Sequence, residues 1–229
     1  MPAVLARFPG ARTAKVKVAE PGQTLADDVA RVGAVRAQIP TVRVDANGGW
    51  TVEQAVAAAA ALTADGPLEY LEQPCATVAE LAELRRRTDV PVAADESIRK
   101  ADDPLRVVRA GAADVAVLKV APLGGVGPLL RIADQVNVPV VISSALDSAV
   151  GIGIGLAAAA ALPQLTHACG LGTGRLFGRG RRRHPGPRRR FPAGEPGGAG
   201  PGPAHRTGRP ARPSGLVAGP DPGVPRAVG

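Results

Sequence analysis

The sequence predicts an α/β fold: an incomplete (β/α)-barrel with seven of its eight strands, followed by a disordered tail. Three observations carry this. Short Val-rich runs alternate with Ala-rich amphipathic stretches through residues 14–177, repeating about every 22–28 residues. The runs are continuously apolar, as parallel strands covered on both faces are. Seven such units in a row favour closure into a barrel over an open sheet, and no Gly-x-Gly-x-x-Gly follows the first run, against a dinucleotide fold.

The expected strands are AKVKVA (14–19), TVRVDA (41–46), LEYLEQ (68–73), VPVAAD (90–95), VAVLKV (115–120), VPVVIS (138–143) and, least regular, LTHACG (165–170). Helix starts are marked between them. Thr51 with Gln54, and Thr77 with Glu80, fit capping boxes, and Thr24 with Asp27 is a shorter version. Ala149–Leu162 is the longest apolar run, short for a membrane span, and is expected to be a buried helix after a glycine-rich turn. Residues 1–13 are expected to be the remnant of a first barrel helix (VLARFPGA), 14–177 a partial catalytic barrel, and 178–229 a disordered Arg/Pro/Gly-rich tail.

Charge distribution narrows the function classes. The formal net charge is +8, but residues 1–177 carry −1 and residues 178–229 carry +9. The barrel segment is therefore not a basic body suited to nucleic acid or membrane. Gly and Pro fill 24 of the last 52 positions, and such a segment buries too little apolar surface to offset chain entropy. Its composition, after an abrupt break, reads as out-of-frame translation of a GC-rich gene. An arm for RNA or an anionic surface is the other reading. Neither nucleic acid nor membrane is expected as a partner, and the oligomeric state is left open. Cys75 and Cys169 lie far apart without metal-ligand spacing, and read as buried free thiols in a reducing, cytoplasmic compartment.

The chain has 24 arginines and four lysines, yet Lys15 and Lys17 flank a single valine. Arginine does not lose its proton at working pH, so this position reads as one that calls for an amine and not a guanidinium. Catalytic residues of barrels sit at the carboxyl ends of strands. Read that way, the strand ends present Lys17, Asp45, Glu72, Asp95 and Lys119. Adjacent strands lie about 4.8 Å apart, so the three carboxylates are expected to converge on one ion. Hard oxygen ligands suit Mg²⁺, and the lack of nearby His or Cys disfavours zinc. One such acid alone would read as a helix cap. Paired lysines alone would read as a guarded edge strand, but that leaves Lys119 unexplained. Lys119 is four strands on from Lys17, so the two are expected to face each other across the barrel with the metal site beside them and Lys15 one layer deeper.

This pattern resembles the enolase superfamily, in its muconate-lactonizing-enzyme subgroup. There, Lys-x-Lys on the second barrel strand, acids on the next three and a lysine on the sixth form the site. The resemblance implies Lys17 on one face of the substrate, Lys119 on the other, and Asp45, Glu72 and Asp95 holding Mg²⁺, with Mn²⁺ as a substitute. Lys15 would lower the pKa of Lys17 by like charge, and Asn47 and Glu96 would support the site. More finely, AKVKVAEPGQ, VRVDANGGW, YLEQPC, AADESIR, LKVAPLGGV, SSALDSAVGI and GLGTGRLF resemble the o-succinylbenzoate synthase family of the actinobacterial type, over about residues 3–177.

That resemblance implies a lyase of menaquinone biosynthesis acting on a small-molecule carboxylate. The reaction would be syn dehydration of 2-succinyl-6-hydroxy-2,4-cyclohexadiene-1-carboxylate to o-succinylbenzoate. Lys17 would take the proton beside the carboxylate and then help the hydroxyl leave from the same face, while the metal and Lys119 stabilise the developing charge. Ser143, Ser144, Gly170 and Gly172 would line the pocket. The subgroup's dipeptide epimerases carry Asp-x-Asp where this chain reads THACGLGTG, which argues against that reaction. A different subgroup reaction (racemase or cycloisomerase), an inactive barrel fragment, and a binding protein with a functional basic arm stay open. Only 13 residues precede AKVKV. The enolase-type N-terminal capping domain, the first βα unit and the last barrel helix are therefore expected to be missing, leaving two open sheet edges.

Overall fold

The computed structural model describes residues 2–99 and 104–176. Elements follow in the order α1 (Pro2–Leu5), β1 (Thr13–Lys17), α2 (Leu25–Arg36), β2 (Thr41–Asp45), α3 (Val52–Thr63), β3 (Leu71–Glu72), α4 (Val78–Arg85), β4 (Val92–Ala94), α5 (Glu96–Arg99), α6 (Arg106–Arg109), β5 (Val115–Leu118), α7 (Val126–Gln135), β6 (Val140–Ile142) and α8 (Ala149–Ala161), with a 3₁₀ turn at Gly172–Leu176. The six strands form one sheet in chain order. Every pair is parallel, and the sheet curls into a half-barrel. The expected tail from residue 178 lies outside the described residues. Among those described, no helix is long and apolar enough to cross a membrane.

Local chemistry explains where the helices begin. Thr24, Thr51 and Thr77 each accept from the backbone N–H three residues on, and Asp27, Gln54 and Glu80 reach back to the cap N–H. Each reciprocal pair satisfies two of the free amides of a helix start. All three helices then bury an inward stripe. Val32 and Val35 of α2, Ala55, Ala58, Ala59 and Leu62 of α3, and Leu81 and Leu84 of α4 are buried against the sheet's outer face. A leucine buried this fully contributes about 2 kcal/mol. Inside the curl, Tyr70, Ala93, Val115, Val117 and Val141 form a separate small cluster. It lies under the strand ends and gives the site its floor.

Two expectations change. At 165–170 the structure has one parallel bridge, between Ser143 and Gly170, and no seventh strand. Gly170 N–H donates to Ile142 O at 2.8 Å, and Ser144 N–H donates to Gly170 O at 3.1 Å. This stretch lacks the β-branched run that holds the other strands extended, and Pro163 precedes it. The apolar run at 149–162 forms α8, but its glycines lie within the helix, and Ser148 caps it by accepting from Gly151 N–H. Only one face is buried, through Ile152, Gly155, Ala158 and Ala159, while Val150, Ile154 and Leu156 are exposed. A helix laid on the outside of a sheet meets it along a single stripe. Gly155 is needed at that contact, since a Cβ there would stand 2.7 Å from Leu171 Cδ2.

Candidate active site

Parallel pairing places the strand-end residues in register. Lys17 lies beside Asp45, and Asp45 beside Glu72. Asp45, Glu72 and Asp95 are 1 %, 1 % and 0 % exposed, and Lys119 is 8 % exposed. The amines are what hold the acids. Lys15 Nζ donates to Asp45 Oδ2 at 2.8 Å and to Glu72 Oε1 at 2.5 Å. Lys17 Nζ donates to Asp45 Oδ2 at 2.6 Å and to Asn47 Oδ1 at 2.5 Å. On the far side, Lys119 Nζ donates to Asp95 Oδ2 at 2.5 Å. Lys15 is therefore not merely a neighbour of Lys17. It starts one layer lower, opposite Arg43, and its long stem carries the ammonium up between two carboxylates.

The supporting residues extend this network. Asn47 donates its backbone N–H to Asp45 Oδ1 at 3.1 Å and its Nδ2 to Glu96 Oε1 at 3.2 Å. It therefore links Lys17 to Glu96 while adopting a left-handed backbone (φ 48°), which asparagine tolerates better than most residues. The Oε2 of Glu96 is buried with no hydrogen-bond partner among the described residues. Two residues not singled out from sequence also touch the site. Arg99 Nε donates to Asp95 Oδ1 at 3.0 Å, and its Nη2 donates to Glu96. The Asp95–Arg99 spacing of four on the short α5 was the available signal. Gln73 is buried, and its Oε1 accepts from the backbone N–H groups of Asp95 and Ser97, both at 3.1 Å. That fixes the turn carrying Asp95, but nothing in the local pattern of LEQP announces it.

Of the weaker candidates, Ser143 and Ser144 are buried. Ser144 Oγ lies 2.5 Å from Thr173 Oγ1. Gly170 sits so close to Ser143 that a Cβ would meet its Oγ at 2.7 Å. Gly172 opens the 3₁₀ turn beside Phe8. A cavity of about 460 Å³ opens next to the network, lined by Asn47, Gln73, Glu96 and Arg106 among others. Cys75 is buried, whereas Cys169, expected buried, is only half-buried, and both are free thiols.

Electrostatics set the acids apart. Burial pushes Glu72 up to about 7, with Asp45 and Asp95 adding to the rise and Lys15 opposing it. Burial also opposes the charge of Asp45, but Lys15 and Lys17 outweigh it and hold that carboxyl below its usual range. For Lys15, burial works against the ammonium, and Glu72 and Asp45 overcome it and raise its pKa. Lys15 therefore commits its charge to the acids. Among the described residues, no three His, Cys, Asp or Glu side chains come together as a metal-binding group, so the expected convergence on one ion is not seen. The donors themselves are nonetheless suited to a hard cation. They are three buried carboxylates, and Glu72 feels the charge of both others.

Buried acids and lysines on the rim of a parallel half-barrel define a class, and the chain belongs to the enolase C-terminal domain-like family, whose model matches residues 3–193. Among curated relatives it is similar to the o-succinylbenzoate synthase of Mycobacterium marinum (strain ATCC BAA-535 / M), 82% identical over 177 residues, covering 77% of this chain and 54% of the relative. The o-succinylbenzoate synthase of Mycobacterium tuberculosis (strain ATCC 25618 / H37Rv) is 82% identical over 174 residues, covering 76% and 53%. The chain thus spans about half the length of these relatives. Among solved structures it is similar to the muconate lactonizing enzyme from Pseudomonas putida, with a TM-score of 0.66 and 27% identity over 74% of this chain and 49% of that one. The L-Ala-D/L-Glu epimerase from Bacillus subtilis has a TM-score of 0.67 and 26% identity, covering 78% and 51%.

Proposed function

We propose that the chain carries the barrel site of an o-succinylbenzoate synthase. It would dehydrate 2-succinyl-6-hydroxy-2,4-cyclohexadiene-1-carboxylate to o-succinylbenzoate, a menaquinone precursor. The observation that carries the reading is the placement of Lys17 and Lys119 on either side of three buried acids, in a chain 82% identical to synthases of that name. Its identity to the cycloisomerase and epimerase structures is 26–27%, which favours the dehydratase over those reactions.

Lys17 is the base. Its side chain is the more exposed of the two on β1, 49% against 28% for Lys15, so it is the one a substrate reaches. It takes the proton beside the substrate carboxylate, and the resulting ammonium passes a proton to the departing hydroxyl on the same face. Asn47 orients that amine through its Oδ1. Lys119 supports the opposite face with a positive charge kept in place by Asp95. Asp45, Glu72 and Asp95 would hold Mg²⁺, with Mn²⁺ as a substitute, and the ion when bound supplies a Lewis acid for the substrate carboxylate.

The test follows substrate loss and product mass with the chain and Mg²⁺. Lys17→Arg is expected to lower turnover by about 10²–10⁴-fold, the span of general acid–base catalysis. It should also stop solvent-deuterium exchange at the acidic carbon, while Mg²⁺ binding survives. Unchanged turnover in Lys17→Arg removes the mechanism. No turnover by the unmodified chain favours an inactive barrel.

A further inference from the structure

Below the lysine and acid layer, the floor of the curl holds a second polar group that the proposed reaction does not use. Arg43 lies two residues before Asp45 on β2, so both side chains enter the same face. It is 3 % exposed. Its Nε donates to Glu69 Oε2 at 2.6 Å, and its Nη1 donates to both Tyr70 Oη at 2.7 Å and Ala168 O at 2.9 Å. Its guanidinium carbon stands 4.6 Å from the Tyr70 ring centroid. His167 Nδ1 lies 2.9 Å from Glu69 Oε1, and its ring meets Tyr70 edge-on at 6.0 Å and 83°.

These contacts join β2 and the residues leading into β3 to a segment far along the chain, 125 residues away for Arg43 and 98 for Glu69. That segment has only the one bridge to β6. It leads directly into Gly170 and Thr173, which back onto Ser143 and Ser144. We propose that Arg43, Glu69, Tyr70 and His167 form a clasp that takes the place of strand pairing and positions residues 167–173, and with them the Ser143–Ser144 wall of the site. A guanidinium is suited to this because its donors are fixed in one plane, so a single side chain serves three acceptors on two parts of the chain. Its Nη2 is buried without a partner among the described residues, so the side chain is placed for the other three bonds. Calling that wall a substrate wall rests on the proposed function, but the clasp does not.

Two cysteines make the test direct, and the chain has no others. Cys169 is half-buried within the clasped segment, and Cys75 is buried in the outer core. Alkylation by iodoacetamide, followed peptide by peptide, reads both in the full chain. Arg43→Lys keeps a cation for Glu69 but cannot reach Tyr70 and Ala168 together. It is expected to speed Cys169 labelling about tenfold while Cys75 stays protected, as local opening without global unfolding requires. His167→Phe leaves the Arg43 bonds in place and should give a smaller rise in the same sense. An unchanged Cys169 rate in both variants overturns the clasp. So does an equal rise at both cysteines, or a Cys169 that reacts in the unmodified chain as fast as in urea. Labelling is independent of turnover, so failure of the dehydratase reading and failure of the clasp are separate results.

Discussion

Glu69, just before β3, and Glu72, at its end, stand three residues apart and are pushed in opposite directions. Glu72 sits among other acids, and burial raises it to about 7. Glu69, on the floor, is more exposed. Burial works against its charge there too, but His167 and Arg43 prevail and lower its pKa. The same strands thus carry two layers of different design. The floor pairs its charges among themselves, Arg43 and His167 both meeting Glu69. In the upper layer burial keeps Glu72 close to protonation at neutral pH despite Lys15, and Lys17 reaches solvent. A layer of the first kind holds shape, and a layer of the second kind can change partners.

Removing one cation from each layer tests that contrast most strongly. Arg43→Met leaves Glu69 with His167 alone and strands a tyrosine hydroxyl and a carbonyl, and should cost about 3 kcal/mol, as broken buried pairs do. Lys15→Met should cost only about 1–2 kcal/mol. Asp45 keeps Lys17, and Glu72 is already close to taking a proton at neutral pH. Urea unfolding at pH 7 measures both, and equal losses would erase the distinction.

The pH profile sharpens it at smaller scale. Glu72 rises from 4.5 to about 7 on folding, so its contribution is complete below pH 4.5 and is lost as pH climbs toward 7. The loss is on the order of 3 kcal/mol. Glu69 is lowered, so its contribution is present above pH 4.5 and is lost as acid takes the pH through its folded value. In melts with chelator present, Glu72→Gln should flatten the limb between about pH 4.5 and 7, and Glu69→Gln the acid limb. If either variant flattens the other's limb, the two layers are not electrostatically separate.

The smallest effect serves as a reference. Thr51→Ala removes the capping box of α3, whose partner Gln54 carries no charge, and should cost about 1 kcal/mol. Thermal melts should show the same loss at every pH. A pH-dependent loss would mean that charge on the rim reaches further through the helices than the contacts show.

The upper layer was legible in the sequence because a parallel barrel brings every strand end to one rim, so Lys17, Asp45, Glu72, Asp95 and Lys119 could be read off in turn. The three threonine caps were legible because a capping box is complete within four residues. The floor was not. VRVD puts Arg43 on the same face as Asp45, but its partner Ala168 lies across the curl in the least strand-like stretch. The bonds from Lys15 to Asp45 and Glu72 were not legible, because alternation fixes where a side chain starts and not how far four methylenes carry the ammonium. In α8, composition alone hid the single buried stripe, since alanine, glycine and isoleucine occupy both faces.

The chain-order sheet has a kinetic consequence. Each strand pairs with the next one in sequence, so every ladder closes a short loop, and loop-closure entropy rises with the logarithm of loop length. The bond from Arg43 to Ala168 spans 125 residues and is the natural last event. An interaction made after the rate-limiting barrier does not hasten assembly, and its whole free energy appears in the unfolding rate. Arg43 is thereby expected to act as a brake, lengthening the lifetime of the folded chain and leaving its speed of folding unchanged.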